Sequence, residues 1–193
     1  MEHAQQQKLS LTIRETILIA LFAALTAVGA FIKIPIPYVA FSLQTLFVSM
    51  SGMLLGAKNG LISMAVYIII GFLGFPIFTQ GGGIGYILQP SCGYLIGFLF
   101  YSSMTGFFTR RLKVISFKNL YLAQLPGLFT MYAVALPYFF FISKYYTDNP
   151  ISVSALFIYC FAVLMPGEAV KCAVAAGLGK RLIPVLKKQG IFK

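Results

Sequence analysis

Apolar runs close to twenty residues long recur through nearly the whole chain, and they set what it can fold into. An α-helix rises about 1.5 Å per residue, so a run of that length matches the roughly 30 Å hydrocarbon layer of a bilayer. Six spans are predicted, at residues 13–32, 41–55, 61–78, 91–108, 120–142 and 151–182. The second is short, and the last is long and broken at Pro166-Gly167. Only 10% of the 193 residues are charged, whereas a water-soluble domain carries about 25%. The expected fold class is an all-α integral membrane protein with six transmembrane helices. Residues 11–186 form its single domain, between a polar tail at 1–10 and a basic tail at 187–193.

The charges then orient the spans. The net charge is +11, from 15 basic and 4 acidic residues. In a soluble protein such an excess favours nucleic acid; here the bases fall between apolar runs, where membrane topology accounts for them. With the N-terminus in the cytoplasm, that side holds Lys8, Arg14, Lys58, Arg110, Arg111, Lys113, Lys118, Lys180, Arg181, Lys187, Lys188 and Lys193. The outer side holds only Lys33 and Lys144, with Lys171 inside a span. This asymmetry is the one cytoplasmic loops show, and an odd number of spans would break it. Both termini are expected in the cytoplasm.

Several chemistries are disfavoured. Cys92, Cys160 and Cys172 have no pairing or metal-ligand spacing and read as small packing residues. The single histidine, His3, lies in the polar tail, so no metal site and no histidine acid–base site is expected. The first apolar run is too long for a cleaved signal. No internal repeat is visible, which weighs against an inverted-repeat secondary transporter. There is no Walker motif, so any ATP must be hydrolysed by another protein.

The connections are read from their punctuation. Gly56, Lys58, Asn59 and Gly60 predict a tight turn. "TQGGGIGYILQPSCGY" predicts a flexible Gly-rich connection. In "IKIPIPYVAFSLQTL" the alternating Pro35 and Pro37 forbid a helix and keep the strip extended. That strip, with Tyr38, is either a turn in the lipid interface or a lid over an outward cavity.

The candidate site centres on "MPGEAVK". Glu168 and Lys171 stand three residues apart, on one helical face, inside hydrocarbon depth. They are either a mutually neutralised structural pair or part of a ligand site. Pro166 is expected to break the helical ladder, and Gly167 to admit a close neighbour. A ligand site gains from helix-end amides beside the charges. Gln44 can donate and accept together, which suits a urea-like or amide-like guest. Gly81, Gly82, Gly83 and Gly85 allow backbone to approach a ligand, and Tyr86 and Tyr94 either anchor the interface or meet that ligand. In the first span, Ala20 with Ala24 and Ala23 with Ala27 form small-residue rows, for packing within the bundle or for docking a partner. Gly85, Gly93 and Gly97 read as a packing face.

Taken together, "AALTAVGAFIKIPIPYVAFSLQTLFV", "GGGIGYILQPSCGYLIGF" and "MPGEAVK" resemble the BioY family, across about residues 12–184. These are the biotin-binding S components of energy-coupling factor (ECF) vitamin transporters. The resemblance implies an S-component-like bundle of six helices in the bacterial plasma membrane that captures biotin from outside. It implies a transmembrane coupling protein and ATP-binding cassette ATPases as partners, and no cofactor on this chain. It places biotin contacts at Gln44, at the turn from Gly83 through Gly85 to Tyr86, and at Glu168 and Lys171. It makes Ala20 and Ala24 the docking motif for the coupling protein. Glu168 stands where the family usually has Asp, "SLQ" where it has "TLQ", and "QPSCGY" where it has "GPTGGY".

The expected mechanism is binding without covalent chemistry. Glu168 accepts from a ring N–H, and Lys171 donates to the ring carbonyl or to the tail carboxylate. Gln44 and backbone near Gly85 complete the polar set. Tyr86 and Tyr94 flank the rings, and the strip from Pro35 to Tyr38 closes over them. Three rivals predict other outcomes. The same bundle could hold a different vitamin. A lipid enzyme would need a nucleophile or metal. A ligand-free structural protein would pair Glu168 with Lys171 alone and enclose no cavity.

Overall fold

A computed structural model describes residues 12–36, 38–147 and 151–188. Pro37 of the expected lid, the tail at 1–10 and all but the first two residues of the basic tail lie outside them. Among the described residues the chain forms α1 (Ile13–Phe31), β1 (Lys33–Pro35), β2 (Ala40–Ser42), α2 (Gln44–Leu55), α3 (Ala57–Phe72), α4 (Cys92–Arg110), α5 (Phe117–Tyr146), α6 (Val153–Phe157) and α7 (Met165–Lys188). A 3₁₀ turn, Ile84–Leu88, precedes α4, and a wide π turn, Ile158–Ala162, joins α6 to α7. Counting α6, the π turn and α7 as one kinked rod gives six rods, as the apolar runs predict.

Local chemistry sets the ends of these rods. Thr12 caps α1 reciprocally with Glu15: its hydroxyl accepts from the Glu15 N–H, and the Glu15 carboxylate accepts from the Thr12 N–H. Asn59 donates to the other Glu15 oxygen, which ties α1 to the start of α3. The turn expected over residues 56–60 is shorter than the sequence indicates. Gly56 alone, at φ 85°, reverses the chain, and Lys58, Asn59 and Gly60 are already helical. One residue suffices because glycine takes that backbone angle without a Cβ clash.

Pro126 and Pro137 are absorbed inside the 30-residue α5 rather than ending it. Pro166 does not break its helix either. It sits in the first turn of α7, where a missing N–H leaves nothing unpaired. The interruption lies just before it. The Val163 N–H reaches back to the Ile158 carbonyl at 2.9 Å, a five-residue step. Ordinary helical bonding has resumed by Glu168, whose N–H meets the Leu164 carbonyl at 2.9 Å.

The extended strip is a small antiparallel hairpin, with Lys33 opposite Ser42, Ile34 opposite Phe41 and Pro35 opposite Ala40. It leads straight into α2, which at 12 residues rises only about 18 Å. The predicted second span, residues 41–55, is therefore the end of the hairpin followed by a short helix rather than one continuous helix. The Gly-rich stretch is not a slack connection. The Phe78 and Gly81 backbones pair, and the Gly83 N–H, at φ 92°, bonds the Gly71 carbonyl at 2.8 Å. Lys33 of β1 donates to the Thr79 carbonyl, so hairpin and Gly-rich cap are joined.

The polarity of the molecule is inverted relative to a soluble bundle. Ile17, Phe129 and Val170 project outward from α1, α5 and α7, while Thr26, Ser51, Ser102 and Gln124 are buried. α1, α5 and the stretch Val153–Lys188 are long and apolar enough to cross a bilayer. α4 packs most extensively on α5, with Gly93 against Ala135 and Gly97 against Met131; a Cβ on Gly85 would meet nothing within 4 Å, so Gly85 takes no part in that face.

Candidate ligand-binding site

The hairpin, α2, α4, α5 and α7 enclose a cavity with an empty volume of about 480 Å³, counting its mouth. Val39, Ala40, Phe41 and Ser42 cover one side, and Gln44 and Thr45 follow from α2. Thr79, Tyr86 and Ser91 come from the Gly-rich cap and the start of α4. Tyr94, Leu95 and Phe98 of α4 and Met131 and Tyr132 of α5 form an apolar and aromatic wall. Leu164, Glu168 and Lys171 complete it at the kink. Mostly apolar walls with a few convergent polar atoms are the usual make-up of a small-molecule site.

The charged pair lies in this wall, with Glu168 3% and Lys171 6% exposed. The Lys171 ammonium donates to Glu168 Oε1 at 2.5 Å, to Thr45 Oγ1 at 2.5 Å and to the Ser42 carbonyl at 3.0 Å. Thr45 in turn donates to Glu168 Oε1 at 3.1 Å. An ammonium has three protons, and each has a protein oxygen. The same nitrogen sits 4.1 Å from the centre of the Phe41 ring, a cation–π contact. Lys171 thus fastens α7 to both β2 and α2. Glu168 is left half used: Oε2 is buried and has no partner among the described residues.

Other side chains are similarly committed. Gln44 donates to Tyr67 Oη at 2.6 Å and accepts from Ser42 Oγ at 2.9 Å. Tyr67 in turn donates its hydroxyl hydrogen bond to the Ile77 carbonyl at 3.0 Å. Tyr86 shares its hydroxyl with Thr79 and Ser91. Tyr94 donates to the Cys160 carbonyl at 2.8 Å, inside the π turn, so it holds the kink with its hydroxyl and faces the cavity with its ring.

The sequence model of the BioY family matches residues 3–188. This chain belongs to the BioY family. A probable biotin transporter BioY of Lysinibacillus sphaericus is 43% identical over 189 residues, covering 98% of this chain and 94% of its own. The Biotin transporter BioY of Thermotoga maritima is 32% identical, covering 88% and 95% respectively. Among solved structures, the S-component for biotin from an ECF-type ABC transporter superposes with a TM-score of 0.78 at 27% identity, covering 90% of this chain and 94% of its own.

Within this BioY chain, the sequence-predicted residues separate into two groups. Gln44, Tyr86, Tyr94, Glu168 and Lys171 converge on the one cavity, although they are up to 127 positions apart. Gly83 and Gly85 are absent from its lining; Gly83 instead ties the cap to α3 through its bond to the Gly71 carbonyl. Pro35 is on the outer part of the hairpin, and Tyr38 is turned outward onto Tyr159 at 5.6 Å; the surface facing the cavity is Val39 to Ser42 instead. The close neighbour admitted by Gly167 is the Phe41 ring, which a Cβ would meet at 2.3 Å. Ala20 and Ala24 are exposed along α1, whereas Ala23 is packed inside. The residues missed are Ser42, Thr45, Thr79, Ser91 and Tyr132. Thr45 and Tyr132 left no distinguishing signal, because their spans carry other polar side chains such as Ser49 and Ser51, or Gln124 and Thr130.

Proposed function

We propose that this chain captures biotin at the outer face of a bacterial plasma membrane and is the substrate-binding subunit of an ATP-driven ECF-type importer. Both termini lie in the cytoplasm, and the hairpin side of the cavity faces out. The coupling protein docks along α1 at Ala20 and Ala24, and ATP is hydrolysed in partner subunits. Relatives named as biotin transporters support this reading, as does the likeness to a biotin S component.

The observation that carries it is the state of Glu168. A structural ion pair would use both carboxylate oxygens on protein donors, because an unpaired buried acceptor is costly. Here Lys171 and Thr45 both hold Oε1, while Oε2 is buried and unmet. A carboxylate fixed that way is ready to accept an N–H from a neutral cyclic urea. Biotin supplies such a ring, a thioether ring for the apolar and aromatic wall, and a tail that extends towards the mouth. Lys171 serves mainly by holding Glu168 and the hairpin, and reaches the guest only by releasing one of its present oxygens.

Titration of the detergent-purified chain with radiolabelled biotin tests this directly. Saturable binding at one site per chain is expected, and its loss in a folded Glu168→Ala protein. A well-folded wild-type chain that binds no biotin would overturn the reading.

A further inference from the structure

Tyr132 ends in a buried hydroxyl that has no hydrogen-bond partner among the described residues, although the residue is only 2% exposed. Its ring is clasped edge-on by Tyr94 at 5.9 Å and Phe161 at 5.1 Å, so the hydroxyl is held where it is. It lines the cavity from α5. A buried phenol without a partner is destabilising and calls for an explanation. The packing around it gives none, because the clasp would hold a phenylalanine equally well.

Two residues that line the cavity, on two helices, thus each carry a buried polar atom with no partner among the described residues. Tyr132 Oη–H is a donor on α5, and Glu168 Oε2 is an acceptor on α7. The hydroxyls of Tyr86, Tyr94 and Thr45 and the ammonium of Lys171 already have protein partners. A cyclic urea places a carbonyl acceptor directly between two N–H donors, which is the complement of that pair. A ligand carboxylate is not. Glu168 and Lys171 neutralise each other, so a further negative charge beside Glu168 would be uncompensated in a water-poor pocket.

We propose that Tyr132 is a specificity-determining residue: its hydroxyl donates to the urea carbonyl of the bound ligand while Glu168 Oε2 accepts an adjacent N–H. This rests on the biotin reading above and adds a donor to it. A guest of similar size and shape without a carbonyl at that point would leave the phenol unmet.

Tyr132→Phe removes the hydroxyl and keeps the ring. Because no protein group uses that hydroxyl, the ligand-free variant should melt at or above the wild-type temperature. Its affinity for biotin should fall by about ten- to a hundredfold, the effect of one lost hydrogen bond with a stranded acceptor. 2-Thiobiotin, whose thiocarbonyl is a weaker acceptor with both N–H groups intact, completes a double cycle. Wild type should favour biotin over 2-thiobiotin by about tenfold, and Y132F should bind the two nearly alike. Equal biotin affinity in Y132F and wild type would overturn the proposal, leaving the phenol to water. So would an undiminished preference for biotin over 2-thiobiotin, which marks a packing role, or a loss of ligand-free stability, which marks a protein partner. Absence of biotin binding by the wild type itself would remove the functional reading and this assignment together.

Discussion

Lys171 has as many protein oxygens around its ammonium as it has protons, and a phenyl ring besides. That makes it the fastening of the site and gives single and double substitutions different outcomes. Lys171→Met strands the Glu168 charge in an apolar wall and should cost about 3–5 kcal/mol of stability. Adding Glu168→Gln removes the stranded charge, so the double variant should recover most of that loss while biotin affinity stays low. Thermal or denaturant melts of both proteins in detergent decide this. If the double variant is no more stable than Lys171→Met alone, charge compensation is not what the pair provides. Tyr94 illustrates the same division of labour at a single residue. Its hydroxyl is spent on the π-turn carbonyl of Cys160, and its ring is what remains for the cavity.

At the scale of elements, the hairpin and α7 are one device. Phe41 of β2 fits into the space that glycine leaves at position 167 and covers Lys171 from there. Gly167→Ala should push the ring out, weaken biotin about tenfold and speed its release, since overpacking of this kind costs about 1–3 kcal/mol. A compensating Phe41→Leu in the same chain should restore part of the affinity, and release rates measured on the two proteins separate the cases. No restoration would mean that Gly167 serves backbone geometry instead. Gly52 and Gly177 offer a second contrast. A Cβ on Gly52 would lie 1.9 Å from the Ser102 carbonyl oxygen of α4, whereas one on Gly177 meets nothing within 4 Å. Gly52→Ala should destabilise by at least about 1–3 kcal/mol. Gly177→Ala should stabilise by about 0.5–1 kcal/mol. Melting temperatures that move the same way in both variants would contradict this packing.

These elements also show what a sequence discloses. The six rods were legible because run length against bilayer thickness is a strong constraint. Glu168 and Lys171 were legible because charge inside an apolar run is rare. The kink was misplaced by a few residues because a proline that opens a helix and one that breaks it look alike in sequence. Only the bond from the Glu168 N–H to Leu164 tells them apart. Thr45 was missed for a related reason. Thr26 spends its hydroxyl on its own helix, at the Phe22 carbonyl, and Ser63 bonds the Ile19 carbonyl. Nothing local distinguishes these from Thr45, whose partners are 123 and 126 positions away. The Gly-rich cap looked slack because glycines signal freedom, while here they let the chain fold back on α3.

For the whole molecule, the two sides of α1 are the informative comparison. One side carries Ala23, Thr26 and Gly29 into the bundle, with Gly29 against the backbone at Leu43 and Gln44. The other exposes Ala20 and Ala24 between larger apolar neighbours, Ile17, Leu21 and Val28. A face that met only lipid would gain nothing from two small residues one turn apart, since lipid chains fill any outline. A second helix does gain, because small residues let backbones approach. The cavity lies elsewhere, and neither Ala20 nor Ala24 lines it. Capture and coupling should therefore separate in a single substitution. Ala24→Trp should leave the biotin affinity of the isolated chain within about twofold of wild type, a difference of roughly 0.4 kcal/mol. The same variant should lose ATP-dependent biotin uptake in vesicles reconstituted with the coupling protein and its ATPases. Uptake at the wild-type rate would show that the partner docks on another face. A parallel loss of biotin binding by the isolated chain would show that α1 shapes the cavity, and that the two sides of this helix are not independent.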